Sequence, residues 1–295
     1  MLNRARTTLG KVSPRITNLP ETILRPDYAL TGRPSDPPMA RYTVHDEEGV
    51  RCMREAGRLT AAALNFAAKQ IEVGITKDEI DKRIHNFIIG KGAYPAPLNY
   101  RGFPKSSCIS CNDVICHGIP DMNELNEGDL VSIDISLYTK DGYFGDACRT
   151  WAVGENVEQE ALDLMHRSEE ITMAAVDVCG PGVPFTTVGD IIASKCEEYG
   201  YDTVRKYCGH SIGKSLHMQP LVHHYRGGNS YFDPVMKPGM TFTVEPMITA
   251  GCEANRLLED GWTVVTLDGS WSSQFEHIVL ITEEGYEILT AKNNN

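Results

Sequence analysis

At 295 residues the chain can bury one large core or two modest ones. Its composition is ordinary for a globular protein, 41% hydrophobic and 23% charged, and no apolar run approaches the roughly 18–20 residues needed to span a bilayer. A formal net charge of -12 argues against a general nucleic-acid binder, which usually presents a basic face, and fits a site that gathers carboxylates.

In chain order, residues 1–42 are expected to form an extended N-terminal arm or linker, with one large domain over 43–295. The first twenty residues carry Arg4, Arg6, Lys11 and Arg15 and no acid, a composition shared with organellar presequences, although Pro14 and Pro20 interrupt any amphipathic helix there. The first helix is predicted to start at Thr43, with Asp46 three residues on as in a capping box. Val50, Met53, Leu64, Ala67 and Ile71 form its apolar stripe, and Gly74 stops it. A second helix follows Thr76-x-x-Glu79, with Ile80, Ile84, Phe87 and Ile88 on one face. This unit recurs at an offset of 108 residues: Gly74 and Gly92 match Gly182 and Gly200, and Ile80 and Ile84 match Val188 and Ile192. The recurrence predicts two pseudo-symmetric halves with a site between them.

Strands are clearest over 130–138, where Val131, Ile133, Ile135 and Leu137 alternate with Ser132, Asp134 and Ser136. Asp141-Gly142 marks a turn, and a return strand runs through Asp146 towards Val153. Further strands are expected over 241–249 and as a pair within 263–290. Helix pairs followed by hairpins indicate an α+β domain with antiparallel sheet. The nine cysteines are scattered and odd in number, which predicts free thiols in a reducing compartment.

Taken alone, Asp134 and Asp146 read as solvated acids on a half-exposed hairpin. Three later segments change that reading. GHSIGKSLH supplies His210 and His217; FTVEPM buries Glu245 in an apolar strand; QFEHIVLIT puts Glu276 at the head of another. Buried carboxylates must be protonated or meet a cation. Four of them with one or two imidazoles make a mixed O/N donor set suited to two divalent first-row ions.

Five stretches then carry a resemblance: NYRGFPKSSCISCNDVICHGIP, SIDISLYTKDGYFGD, YCGHSIGKSLHMQP, FTVEPMI and DGWTVVTLDGSWSSQFEH, in this order and spacing. From about residue 43 to 292 the chain resembles the type I methionine aminopeptidases, metallopeptidases of the pita-bread fold. The resemblance implies Asp134 on a first metal ion, Asp146 and Glu276 bridging two, and His210 and Glu245 on the second, the ions being cobalt, manganese, iron or zinc. It implies a metal-bridging hydroxide as nucleophile, with Glu245 also shuttling the proton, His217 stabilising the oxyanion and His117 positioning the following peptide nitrogen. The free α-amine would bind at a metal, and Tyr100, Phe103, Cys108, Leu216 and Trp262 would wall the first side chain. The implied substrate is a nascent polypeptide N-terminus, Met followed by a small residue, with a monomeric enzyme and the ribosome as a further partner; neither nucleic acid nor membrane is expected.

Several positions depart from the family pattern. The Asp134–Asp146 hairpin is one residue longer, Phe144 replaces a common histidine, Ser211 a usual glycine, and Leu216 an aromatic. The last predicts a roomier pocket with weaker discrimination against norleucine-like or bulkier first residues. Residues 24–30, LRPDYAL, resemble the linker before the catalytic domain of eukaryotic members, whose zinc-binding region has no matching Cys/His spacing here. Two alternatives share the fold: a prolidase or Xaa-Pro aminopeptidase, which carries an extra N-terminal domain, and a metal-free binding protein, which loses ligands.

Overall fold

The computed structural model describes residues 7–17, 19–35, 42–228 and 233–292. Its first half is a helix pair laid on a hairpin. Strands Leu130–Tyr138 and Phe144–Ala152 pair antiparallel along their whole length, and Cys108–Cys111 and Tyr94–Pro95 flank the first of them. Val131, Ile133, Ile135 and Leu137 point to one face, where they pack with Leu64, Ile80, Ile84 and Ile88 from the helices Glu47–Ala68 and Lys77–Gly90. The intervening Ser132, Asp134 and Ser136 are left to face the other way.

The first helix begins at Glu47 and not at Thr43. Asp46 is the cap: its backbone is extended and its carboxylate accepts the Gly49 N–H at 2.8 Å. Thr43 and Asp46 are both capping residues three apart, and the one followed by Glu47 and Glu48, acids that favour a helix N-terminus, takes the role. The second helix is capped as its sequence indicates, by the Thr76 hydroxyl accepting Glu79 N–H at 3.1 Å.

The second half repeats this construction. Helices Gln159–Asp177 and Thr186–Tyr199 pack Leu164, Ile171, Val188 and Ile192 against Phe242, Val244 and Ile248. The repeat holds at the level of single hydrogen bonds. Gly74 N–H donates to Leu125 O and Gly182 N–H to Met236 O, both at 2.8 Å, with φ of 87° and 85°. Leu125 N–H returns to Ile75 O and Met236 N–H to Val183 O, again at 2.8 Å. The offset has grown from 108 to 111 residues between the helices and the strands, and the larger offset carries Asp134 onto Glu245.

The strand expected over 241–249 is two strands, Thr241–Val244 and Met247–Thr249. Pro246 cannot donate a ladder bond and restricts the residue before it, so the chain breaks at Glu245-Pro246. The first piece pairs with His277–Ile281 and Gly209–Ser211, the second with Ser272–Gln274 and Asp202–Thr203.

Residues 7–17 and 19–35 lie along the domain. Thr7 N–H reaches Asp113 at 3.2 Å, Gly10 N–H reaches Asp121 at 2.8 Å, and Ser13 donates to Asp78, which Lys105 also contacts. Ile23 and Tyr28 are buried against the domain. Of the four basic residues behind the presequence reading, Lys11 and Arg15 lie in this segment, and Arg4 and Arg6 lie outside the described residues. Among the described residues all nine cysteines are free, and no helix is long and apolar enough to cross a membrane.

Because Ile84 and Ile192 are fully buried and occupy matching places in the two cores, each truncated to alanine should destabilise the fold by about 2–5 kcal/mol in urea denaturation. A loss under about 1 kcal/mol in either would contradict the account of two equivalent cores.

Candidate metal centre

The hairpin register brings the first two acids together. Asp134 lies opposite Cys148 and Asp146 opposite Ser136, so the two are diagonal neighbours on the face turned away from the helices. Glu276 joins them because its N–H donates to Cys148 O at 2.9 Å. The ladder between Thr241–Val244 and His277–Ile281 ends at Val244 opposite His277, so Glu245 and Glu276 form the next pair beyond it.

His210 comes from the strand Gly209–Ser211, with its N–H on the Thr243 hydroxyl at 3.0 Å. Its Nδ1 meets Ser211 O at 3.2 Å, and a carbonyl can only accept, so Nδ1 carries the ring proton. Nε2 is left with its lone pair towards Glu245 Oε1 at 3.5 Å and Asp146 Oδ2 at 3.8 Å. Burial holds His210 down at about 4, so the imidazole is neutral at pH 7. The Thr243 hydroxyl also donates to Glu245 Oε1 at 2.7 Å and so fixes histidine and acid together.

Burial pushes Asp134 up to about 7 and Glu245 up to about 8. Asp146 and Glu276 are driven well above the usual range by burial first and by the neighbouring acids second. One oxygen of Asp134 and one of Asp146 are buried without any hydrogen-bond partner. Ligand atoms of Asp146, His210 and Glu276 all lie within 4.8 Å of one another. Crowded acids with orphaned oxygens and a neutral imidazole lone pair among them are a donor set that divalent first-row cations fit.

The five residues open on a cavity of ≈ 370 Å³ that also takes in His117, His217, Tyr100, Phe103, Cys108, Leu216 and Trp262. His117 sits at φ 55°, a sparsely populated conformation for a side-chain-bearing residue, with its ring edge-on to Tyr207 at 5.4 Å and to Trp262 at 6.1 Å. The His217 ring lies 4.4 Å from that of His210, and its Nδ1 is hydrogen-bonded to the Tyr100 hydroxyl at 2.8 Å. Phe103 and Trp262 meet edge to face at 5.1 Å beside Cys108.

Sequence reasoning passed over several residues that share this site. Met247 lines the cavity and Thr243 donates to Glu245; they flank Glu245 two residues away on either side, which period-two alternation could have flagged. Tyr207 stands inside a quoted motif. No local pattern signals the turn carrying Tyr100: Asn99, Arg101 and Gly102 have φ of 64°, 48° and 87°. The Asn99 amide holds this turn to Ala29 O at 3.0 Å, and Tyr28 packs edge-on against Tyr100 at 5.0 Å.

The sign of the pH dependence follows. Acids whose folded pKa values exceed their unfolded values of about 4 stabilise the fold most below that pH and lose the contribution as pH rises. Chelator-stripped protein should therefore show a thermal midpoint that falls as pH rises from about 4 and levels off above about 7 to about 8, and divalent ions should remove the fall. Identical profiles for stripped and metal-supplied protein would contradict the assignment.

The sequence matches metallopeptidase family M24 over residues 51–283. It is 43% identical over 279 residues to methionine aminopeptidase 1 of Saccharomyces cerevisiae, covering 93% of this chain and 71% of that protein. It is 41% identical over 290 residues to methionine aminopeptidase 2 of Mycobacterium tuberculosis, covering 98% and 99%. The crystal structure of methionine aminopeptidase from Rickettsia prowazekii superposes with a TM-score of 0.81 at 40% identity, covering 85% of this chain and 100% of that one. The chain thus belongs to metallopeptidase family M24 and, within that pita-bread fold, to the methionine aminopeptidases.

Proposed function

We propose that this protein hydrolyses the initiator methionine from nascent polypeptides whose second residue is small, using two divalent ions. The observation that carries the reading is the convergence of four acids and a neutral imidazole in one cavity whose walls also carry aromatic and sulfur-bearing side chains. Held by Asp134, Asp146, His210, Glu245 and Glu276, paired cations supply Lewis acidity and a nucleophile drawn from water near neutral pH.

The protein's own groups do the rest. Glu245, which lines the cavity among the other acids, would take the proton released by the nucleophile and deliver it to the leaving amine. In the tautomer whose Nδ1 accepts from the Tyr100 hydroxyl at 2.8 Å, the His217 ring proton is on Nε2, where it would stabilise the oxyanion that develops at the scissile carbonyl. His117 is kept neutral, at about 4, by burial, and orients the next peptide nitrogen. Phe103, Trp262, Tyr100, Cys108 and Leu216 suit a methionine thioether, since each sulfur–aromatic contact contributes about 0.3–1.5 kcal/mol. We also propose a reducing compartment, the cytoplasm before the mitochondrion, which the nine unpaired thiols support.

Glu245→Ala and Asp146→Asn should each lower kcat on Met-Ala-Ser by about 100-fold or more, the scale of a lost general acid–base or charge-stabilising group. Circular dichroism should show the fold retained, and Xaa-Pro peptides should not be cleaved by the parent enzyme. Activity near the parent level in either variant would rule out the proposed roles.

A further inference from the structure

The cavity at the acids has a neighbour across His217. A second hollow of ≈ 260 Å³ adjoins it and shares Tyr100, Arg101, Leu216 and His217 with it. Its inner wall is formed by Tyr138, Phe144 and the Lys214–Ser215 pair, and its outer wall by the N-terminal segment through Pro26, Asp27, Pro34 and Ser35.

That outer wall is pinned in place. The Asp27 carboxylate accepts Ser35 N–H at 2.8 Å and also the Ser35 hydroxyl, which closes the loop between them. The Tyr28 hydroxyl donates to Ala96 O at 2.7 Å, beneath the same loop. Two exposed cations stand at the rim: Arg101, whose guanidinium lies 5.7 Å from the Tyr100 ring centre, and Lys214, whose ammonium lies 5.5 Å from that of Tyr143. The outer wall's acid, Asp27, is engaged by Ser35.

We propose that this hollow is a subsite for the substrate residues after the second, with the N-terminal segment as its outer wall, and that it favours acidic residues. The inference rests on the methionine-excising activity proposed above. With the first side chain in the aromatic pocket and the scissile carbonyl at His217, the polypeptide that continues from His217 meets this hollow next. The apolar floor of Tyr138, Phe144 and Leu216 accepts an extended backbone of any sequence. Arg101 and Lys214 supply a bias by charge.

The test is steady-state kinetics of the full-length, metal-loaded protein on Met-Ala-Ser, Met-Ala-Ser-Glu-Glu-Gly and Met-Ala-Ser-Lys-Lys-Gly. The Glu-extended peptide should have a KM about threefold to tenfold below that of the Lys-extended one, the scale of one or two exposed charge pairs, and high salt should close the gap. The readout is the ratio of the two extended peptides, which a general loss of activity does not move. Lys214→Glu should invert the ratio and Asp27→Lys should widen it. Equal KM values for the two extended peptides, or a ratio unmoved by both substitutions, would overturn the subsite. Failure to cleave Met-Ala-Ser itself would instead overturn the activity on which the subsite depends.

Discussion

Four carboxylates share one cavity, three of them buried and the fourth, Asp134, facing into it, and they cannot all carry charge without a cation between them. The architecture delivers them there by repetition. Asp134 and Glu245 occupy equivalent places in the two halves, and Asp146 and Glu276 arrive from the strands paired beside them. Each half buries its own apolar face under its own helices, so the polar faces of both sheets are free to meet and make one acidic centre. The helices stabilise the fold and the hairpins supply the chemistry, a division that follows from the two-residue period of a strand.

The immediate surroundings tune that centre with few groups. Thr243 ties His210 to Glu245, and Ser211 O fixes the tautomer of His210. His224, fully buried, accepts the N–H groups of both Gly209 and Glu245 at 3.3 Å, and so satisfies the Glu245 amide where the strand breaks ahead of Pro246. Unusual backbone conformations gather at the same place. His117, Asn99 and Arg101 are three of four non-glycine residues with positive φ among the described residues, and all lie at or beside the cavity. Conformations of this kind cost about 1–3 kcal/mol each and persist only where the surroundings over-determine them; here the N-terminal segment supplies part of that restraint.

The elements legible in the sequence were those with a strong local period. The 130–138 strand, the Thr76 cap and the Ile80/Ile84 face follow from alternation, capping chemistry and helical spacing, and the 108-residue offset anticipated the paired cores. The helix start was misjudged because two capping residues compete within one turn and only the side-chain hydrogen bond decides. The break at Glu245-Pro246 was written in the proline and was overridden by the apolar run around it. Docking of Tyr28 and Ile23 had no local signal at all: Tyr28 bonds to Ala96 and packs on Tyr100, some seventy residues away. The twelve residues singled out for the site line one cavity, since buried acids in apolar strands are conspicuous, whereas Thr243 and Met247 look like ordinary strand residues until the register is known.

The most direct measurement is a count of bound ions, by anomalous scattering from crystals grown with a divalent transition metal and elemental analysis of the same preparation. Two peaks per chain, enclosed by Asp134, Asp146, His210, Glu245 and Glu276, are the result expected from the proposed two-ion site. A metal-supplied crystal in which the same side chains close on one another with no ion among them would contradict the account.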